Sequence, residues 1–376
     1  MNERSLSGSA GQETRLSGPE GHSTREPGQR PAAHWRPYSV NVEVTLACNL
    51  RCLHCGSTAG HARREELSTD EWRRVFQELA ALDGDEVCLL GGEALVRRDW
   101  RELCEAVGEA GLGLVLITNG LLVDHDAAAF LASLPCTRRV GVSLDGDDPK
   151  VHDYLRGKPG AHASAWSALE RLREAGVETG AITTVSRGNL KELPALRDRF
   201  LGADITWQIQ CASLGGERFE GDMRLSREEF YEVGAFIAAC RSEYRPHELP
   251  VAGSHDLGYC SSRFGHVGEL SEWPGCGAGL YTLGIESNGD VKGCLSQHHD
   301  FVEDSVRRRS LTDIWNDPKL FQRNRAFRKE QLEGLCATCE HGEGCRAGCS
   351  NVAYTSTGRL FDNPYCFHRI EQEEEP

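Results

Sequence analysis

The sequence lacks three features that would place it in common functional classes. No apolar run approaches the roughly 20 residues of a membrane-spanning helix, and the N-terminal segment has no apolar stretch typical of a secretory signal. Basic residues are also scarce, since 42 Lys and Arg stand against 57 Asp and Glu in 376 residues, a net charge of −15. Capture of a phosphate backbone needs a basic surface. We therefore expect a cytoplasmic protein with neither a nucleic acid nor a membrane as partner.

Cysteine, by contrast, is abundant, with 16 residues in a chain that shows no sign of export. Disulfide scaffolds are short and secreted, and thiols in a reducing compartment stay reduced. Dense, spaced cysteines in this setting therefore indicate metal or redox chemistry. Ten of the sixteen fall into two regularly spaced groups. For the others we expect the ordinary role of small buried hydrophobes; they are Cys88, Cys104, Cys136, Cys211, Cys240 and Cys260.

The middle of the chain alternates between strand and helix patterns. Two helices are predicted to begin with capping boxes, Ser68 with Glu71 and Ser226 with Glu229. Six strand–helix units predict an α/β fold with a parallel sheet, either a partial barrel or an open doubly wound sheet. The predicted strands are 40–46, 86–90, 113–118, 139–144, 180–185 and 205–210. The predicted helices start at 68 and then occupy about 98–110, 124–133, 162–175, 189–201 and 226–244.

Composition divides the chain into five parts. Residues 1–36 are expected to form a disordered arm, because they hold few apolar side chains to offset the entropy of ordering. The alternating pattern occupies 37–245, and a bridging region, 246–275, follows it. Residues 276–370 are rich in Gly, Cys and His, so bound metal is expected to hold their fold. Residues 371–376 are expected to form a solvated acidic tail.

Three cysteines follow the first predicted strand at CxxxCxxC spacing: Cys48, Cys52 and Cys55. Three thiolates on one loop can hold three irons of a [4Fe–4S] cube, because such clusters are normally ligated by cysteine. The fourth iron then has no protein ligand, and an open coordination site usually indicates catalysis. A zinc site with His54 as fourth ligand is the competing interpretation.

This loop and the later Gly91-Gly92-Glu93 resemble the radical S-adenosylmethionine (SAM) superfamily, and the resemblance extends over residues 38–370. It implies a partial (β/α)6 TIM-like barrel. In the family the open iron chelates the amino and carboxylate groups of SAM. An electron from the cluster then breaks the sulfonium bond, and the resulting 5′-deoxyadenosyl radical abstracts hydrogen from a substrate.

Three further segments match SAM-contacting strands of that family. The glycines and Glu93 resemble the motif that accepts hydrogen bonds from the SAM amino group. Ser143 and Arg156 resemble the pair that approaches its carboxylate, for which a guanidinium is a natural partner. By itself, Arg156 would more readily be a solvated surface charge. Thr183 to Ser186 resembles the region near the ribose. The SAM-binding residues implied are Gly91, Gly92, Glu93, Ser143, Arg156 and Ser186.

Seven cysteines after residue 275 fit the SPASM pattern, CX9–15GX4C, then CX2CX5CX3C, then C. A zinc ribbon is the alternative, although ribbons use two evenly spaced knuckles. The resemblance implies two auxiliary [4Fe–4S] clusters, and thus three clusters in all. The ligands implied are Cys276, Cys294 and Cys349 for the first auxiliary cluster, and Cys336, Cys339, Cys345 and Cys366 for the second. Cys260 is a candidate fourth ligand of the first cluster, a free thiol, or a hydrogen-atom donor to a substrate radical.

The resemblance implies an enzyme that matures a ribosomal peptide or oxidises a protein side chain. The alternative is a dehydrogenase or epimerase of an aminoglycoside or sugar. A non-catalytic electron carrier is disfavoured, because a carrier needs no open iron. A flavodoxin or ferredoxin is the implied reductant. Only 47 residues precede Cys48, so we expect a peptide leader to be held by a separate protein or by the surface around the SPASM region.

Overall fold

One ten-stranded sheet organises the molecule. The computed structural model describes residues 35–257, 261–268, 273 and 275–374. Across the sheet the strands follow the order β10-β9-β8-β1-β2-β3-β4-β5-β6-β7. They are β1 (Ser39–Thr45), β2 (Glu86–Gly91), β3 (Gly113–Thr118), β4 (Thr137–Ser143), β5 (Thr179–Val185), β6 (Thr206–Cys211), β7 (Val251–Gly253), β8 (Thr282–Ile285), β9 (Asp290–Lys292) and β10 (Val302–Ser305).

Helices follow each of the first six strands, and those six strands run parallel to one another. This confirms the predicted α/β class with its (β/α)6 core. The helices are α1 (Thr69–Ala81), α2 (Trp100–Glu109), α3 (His125–Ser133), α4 (Pro149–Arg156), α5 (Ala161–Glu174), α6 (Leu193–Phe200), α7 (Arg227–Glu243), α8 (Leu311–Asn316), α9 (Gln322–Arg325), α10 (Gly342–Cys345), α11 (Ser350–Thr357) and α12 (Phe367–Glu374). In the part of the chain that the structure describes, none of them is long and apolar enough to cross a bilayer.

The helix starts follow the local signals in the sequence. Both predicted capping boxes are present, at Ser68 with Glu71 for α1 and at Ser226 with Glu229 for α7. In each box the serine hydroxyl accepts from the third helical amide while the glutamate accepts from the serine amide. These bonds satisfy amides that a helix start otherwise leaves unpaired.

Helix α4 was not among the predicted elements, although its boundary signals stand in the sequence. The Asp148 carboxylate caps the Lys150 amide at 2.8 Å, and Pro149 occupies the first helical position. Gly157 ends the helix in the left-handed region, at a φ of +68°. Asp before Pro at the start and Gly just past the end are a typical pair of helix boundaries.

The cysteine-rich region continues the same sheet. Strand β8 pairs in parallel with β1, with Val42 opposite Ile285, and β9 and β10 then add in antiparallel order. Strand β7 extends the opposite edge beside β6. The sequence analysis missed these four short strands, because each has only three or four residues, too few to show an alternating pattern.

The predicted N-terminal arm and C-terminal tail each include a residue, next to the folded part of the chain, that the structure shows packed against it. The predicted disordered arm lies outside the described residues up to position 34. At its end, Trp35 packs on the core, and its carbonyl accepts from Trp315 Nε1 at 3.0 Å. The predicted solvated tail is wrong at Glu371, which is only 3% exposed. Its carboxylate accepts from the hydroxyls of Ser262 and Tyr231 at 2.6 and 2.9 Å, so α12 is fastened to the preceding region.

Three of the six cysteines expected as buried hydrophobes are confirmed in that role. Cys88, Cys104 and Cys240 are 5% exposed or less and belong to the apolar interior. Cys136 and Cys211 are half-buried. Cys260 lies outside the described residues.

Candidate functional site

The residues predicted to hold the SAM cluster and SAM lie at one edge of the sheet. Parallel strands bring their carboxyl ends to the same edge, which is where ligand sites of α/β folds are built. The loop after β1 carries the CxxxCxxC cysteines, and the loop after β2 carries Gly92 and Glu93. Ser143 ends β4, and Ser186 follows β5.

The CxxxCxxC loop holds its three thiols half-buried. Main-chain amides of Leu50 and Ala59 donate to the sulfur atoms of Cys48 and Cys55 at 3.4 and 3.3 Å. Burial raises the pKa of Cys48 to about 11 and also raises that of Cys52. A thiol in such a setting ionises when a cation binds it, as cluster ligation requires. The loop therefore fits a cysteine-ligated cluster.

Arg156 is buried against this loop rather than solvated. Its Nη1 lies 4.0 Å from Cys52 Sγ, while Nη2 donates to Asp145 Oδ1 at 2.9 Å. Its Nε forms an ion pair with Asp145 Oδ2 at 2.7 Å. The Arg156 side chain is 9% exposed, the whole residue 7%, and the Asp145 side chain is not exposed at all. The alternative interpretation of Arg156 as a surface charge is therefore wrong.

His54 contacts the same carboxylate. Its Nε2 lies 3.2 Å from Asp145 Oδ2. Burial lowers the pKa of His54 to about 4, so the imidazole is neutral at physiological pH. In the competing zinc interpretation His54 is the fourth ligand. Since Nε2 faces the Asp145 carboxylate, only Nδ1, which has no hydrogen-bond partner, could bind the metal ion.

Gly91 and Gly92 allow the loop after β2 to lie directly on the chain that leads into Cys48. The Gly92 amide donates to the Thr45 carbonyl at 2.8 Å. A Cβ on Gly91 would stand 2.2 Å from the Thr45 oxygen, and one on Gly92 would stand 2.3 Å from the Ala47 oxygen. No other residue fits either position without moving the main chain.

Glu93 is buried and already accepts three hydrogen bonds from the protein. Its donors are the Thr118 hydroxyl at 2.8 Å and the amides of Asn119 and Leu95 at 2.7 and 3.2 Å. Burial raises its pKa despite these donors. The Asn119 side chain also donates to Asn49 in the cysteine loop at 2.7 Å. Glu93 thus belongs to a network that ties β2 and β3 to that loop.

The two serines with implied SAM contacts differ in exposure. Ser143 is half-buried at the end of β4. Ser186 is completely buried, and both its amide and its hydroxyl donate to Asn189 Oδ1, at 2.7 and 3.1 Å. Asn189 in turn donates to the Asp145 carbonyl at 2.7 Å. The SAM contacts implied for both serines remain predictions.

Six of the seven SPASM cysteines form two groups of interacting thiols. Burial, with a contribution from Cys276, raises the pKa of Cys349 to about 12. The pKa of Cys294 is raised by burial and by the nearby thiols of Cys276 and Cys349. Cys276 Sγ also lies 3.1 Å from the Ser350 hydroxyl. Thiols separated by more than fifty residues in sequence therefore come together.

The second group contains Cys336, Cys339 and Cys366. Burial, with contributions from the other two thiols, raises the pKa of Cys366 to about 12. Cys345 stands in the same run, and its amide donates to the His341 carbonyl at 2.8 Å. These two groups of three thiols agree with the sets that the resemblance implies, while the place of Cys345 and the ligation of two clusters remain predictions. Cys260, the tentative ligand or hydrogen donor, lies outside the described residues.

The sequence analysis gave no role to Asp145, although it lies in the segment from Ser143 to Arg156 that resembles the SAM-contacting motif, and it did not consider Asp256. Asp256 is 6% exposed, and its Oδ2 accepts from the Cys211 amide at 2.6 Å. Its Oδ1 has no hydrogen-bond partner, and the two residues line a small cavity that also contacts Tyr365. Asp256 lies three residues beyond the end of β7, and because the sequence analysis missed that short strand, no local pattern indicated Asp256.

Comparisons with known proteins identify the family of this chain. The chain matches the family model of the radical SAM superfamily over residues 42–199 and that of the SPASM iron–sulfur cluster-binding domain over 276–340. The AdoMet-dependent heme synthase of Methanosarcina barkeri is 30% identical over 348 residues, covering 89% of this chain and 97% of that protein. The mycofactocin maturase MftC of Mycobacterium ulcerans is 31% identical over 338 residues, covering 87% of this chain and 86% of that protein.

Solved structures share the fold. Streptococcus suis SuiB bound to S-adenosylmethionine has a TM-score of 0.71 at 20% identity, covering 88% of this chain and 77% of that one. Native anSMEcpe with bound AdoMet and the Cp18Cys peptide has a TM-score of 0.67 at 18% identity, and the match covers 90% of this chain and 95% of that one. With two relatives at 30% identity or more over most of both chains, and with both family models matched, the chain belongs to the radical SAM superfamily and carries a SPASM domain.

Proposed function

We propose that this radical SAM enzyme abstracts a hydrogen atom from a residue of a ribosomal peptide or protein. The observation that carries the proposal is the 31% identity to mycofactocin maturase over 87% of the chain. The fold shared with SuiB, which has been crystallised with the precursor peptide SuiA, is consistent with it.

In this proposal Cys48, Cys52 and Cys55 hold the SAM cluster. When bound, the cluster supplies the electron that cleaves SAM to methionine and a 5′-deoxyadenosyl radical. The chain's own task is to bind SAM beside these thiols. Arg156 is suited to the SAM carboxylate, because its Nη1 already faces Cys52 Sγ. The main chain of Gly91 and Gly92, with Glu93, would receive the amino group, and Ser143 and Ser186 would complete the SAM site.

The proposed auxiliary clusters bring the number to three. Cys276, Cys294 and Cys349 would hold the first, and Cys336, Cys339, Cys345 and Cys366 the second. Cys260 would complete the first cluster or donate hydrogen to the substrate radical. In domain terms, 37–245 is the radical SAM core, 246–275 a bridge and 276–370 the SPASM domain. A flavodoxin or ferredoxin would deliver the electron in the cytoplasm, and a separate protein or the surface around the SPASM region would hold the peptide leader.

A second candidate substrate class is a tetrapyrrole. The heme synthase of Methanosarcina barkeri is 30% identical to this chain, and the alignment covers 97% of that protein. The two candidates make different demands on the enzyme, since a tetrapyrrole needs no leader-binding partner.

Co-expression tests the substrate class. The enzyme is produced anaerobically with a short open reading frame from its own gene neighbourhood, and the peptide is weighed. Loss of two hydrogens would indicate oxidation or a crosslink. An unchanged mass in ordinary water, together with deuterium uptake when the reaction is run in D2O, would indicate epimerisation and a hydrogen-donor role for Cys260. An unmodified peptide together with turnover of an iron-coproporphyrin or an amino sugar would overturn the peptide proposal.

Arginine variants test the SAM site separately from the substrate. Arg156→Lys keeps the charge but loses the planar fork, so we expect weaker SAM binding on the order of tenfold. Arg173→Lys, at an exposed position of α5, is the matched control and should bind SAM as the unmodified enzyme does. An unchanged SAM dissociation constant in Arg156→Ala would remove Arg156 from the proposed site.

A further inference from the structure

A cluster of four ionisable side chains is buried behind the cysteine loop: His54, Asp145, His152 and Arg156. All four are 8% exposed or less. The resemblance assigns a SAM contact to Arg156 but gives Asp145 no role. A buried ion pair adds little net stability over an apolar replacement, because both charges lose their hydration. Its presence at the reactive edge of the sheet therefore calls for a functional reason.

Asp145 is the centre of this cluster. Its Oδ1 accepts from Arg156 Nη2 and from the Thr184 amide at 2.9 and 3.0 Å, while Oδ2 faces Arg156 Nε and His54 Nε2. Its own amide donates to His152 Nδ1 at 3.1 Å. One carboxylate thus joins the cysteine loop, α4 and β5.

The C-terminal end of α4 forms main-chain hydrogen bonds with the cysteine loop on both sides of Cys52. The amides of Arg51 and Leu53 donate to the carbonyls of Arg156 and Leu155, at 3.4 and 2.8 Å. A Cβ on Gly157 would stand 2.6 Å from the Arg51 carbonyl oxygen. The main chain of α4 therefore sets the course of the loop. What remains to be fixed is the direction of the Arg156 side chain.

We infer that Asp145 is a positioning residue for SAM binding: it holds Arg156 by Nε and Nη2 so that Nη1 is directed at the cluster loop. A guanidinium anchored at two nitrogens keeps the third available in one orientation, which avoids the entropy cost of ordering it when the ligand binds. The contact with His54 holds the loop segment between Cys52 and Cys55 against the same carboxylate. This inference rests on the proposed SAM cluster at the three cysteines.

A double-mutant cycle tests the inference. Asp145→Asn, Arg156→Gln and the double variant are reconstituted anaerobically, and the SAM dissociation constant is measured from the change in the cluster's EPR spectrum on titration. Asp145→Asn is expected to weaken SAM binding on the order of tenfold, as loss of a supporting hydrogen bond at a metal site does. In the Arg156→Gln background the same change should have an effect of less than about twofold, because Asp145 acts through Arg156.

The control is Asp147→Asn, on the same loop but paired with the exposed Arg199 at 3.4 Å. It should leave the dissociation constant unchanged. An equal loss in both backgrounds, or an unchanged constant in Asp145→Asn with its iron retained, would overturn the positioning role. If Asp145→Asn does not fold, the double variant, which buries no unpaired charge, is compared with Arg156→Gln alone. Absence of SAM binding by the unmodified enzyme would instead refute the proposed function.

Discussion

The cysteine loop after β1 and the region after residue 275 present the same thiol chemistry on two different kinds of support. The first loop leaves a central strand of the sheet and is fastened by buried side chains, Asp145 and Glu93 with their partners. The second region begins with the three short strands β8 to β10, but residues 336–366, which carry five of its seven cysteines, contain only turns and helices of at most eight residues. The first site is organised by the surrounding sheet, whereas residues 336–366 have little regular structure of their own.

Backbone conformation sharpens the contrast. Arg346, Ala347 and Gly348, between Cys345 and Cys349, all have positive φ values, of +55°, +60° and +67°. Two of the three are not glycine, and each such residue costs roughly 1–2 kcal/mol in the left-handed region. Strain of this kind persists where the surroundings impose it, and it concentrates at functional sites. The proposed ligation of clusters by the flanking Cys345 and Cys349 would supply that constraint.

The largest effect is expected when the cysteines of the first loop are removed, and the iron content then shows whether the two regions bind their clusters independently. Replacing Cys48, Cys52 and Cys55 with Ala should abolish SAM cleavage and remove about four of roughly twelve irons, because each [4Fe–4S] cluster is held by its own thiolates. Iron analysis and 5′-deoxyadenosine release measure the outcome. Loss of all the iron would show that the two regions do not load independently, and a stoichiometric zinc content would refute the cluster assignment.

Removal of the iron should loosen one region and spare the other. After anaerobic chelation, amides in residues 336–366 should exchange with deuterium at least about tenfold faster, which corresponds to about 1.4 kcal/mol of lost local stability. Amides of β2 to β5 should keep their protection, because parallel pairing and apolar burial hold them. Hydrogen-exchange mass spectrometry gives both values in one experiment. Equal loss of protection in the two regions would contradict the contrast drawn above.

An effect of similar size, on the free energy of unfolding of the whole protein, is expected from Gly92→Ala, since its Cβ would stand 2.3 Å from the Ala47 oxygen. Relieving that contact displaces main chain and should destabilise the protein by roughly 1–3 kcal/mol. Gly56→Ala, on the cysteine loop with no atom within 4 Å of the added Cβ, is the matched control. Denaturant unfolding measures both, and equal stabilities would show that the close approach is unimportant.

The smallest effects are expected from removing helix caps. These variants test whether the two regions unfold together. Ser68 caps α1 in the core, and Ser310 caps α8 in the C-terminal region. Either serine changed to Ala should cost about 1 kcal/mol. The Thr312 amide donates to Glu78 of α1 at 3.2 Å, so the two helices are linked. One shared unfolding transition, lowered by either variant, is therefore expected, and two separate transitions would be the opposite result.

The sequence by itself determined the features that depend on local spacing. The (β/α)6 alternation, both capping boxes and the two cysteine groups can be read from neighbouring residues, because strand period, helix period and ligand spacing are short-range properties. The family assignment rests on the same spacings. Helix α4 could have been found in the same way, from Asp148, Pro149 and Gly157.

Only the tertiary structure decided which charges are buried and what they contact. Arg156 could have been a surface charge and Glu371 part of a solvated tail, yet both are buried among specific partners. Asp145 lies 11 residues from Arg156 in sequence, and β8 pairs with a strand more than 200 residues earlier. Burial and strand pairing depend on the packing of distant segments, so local patterns carry no record of them.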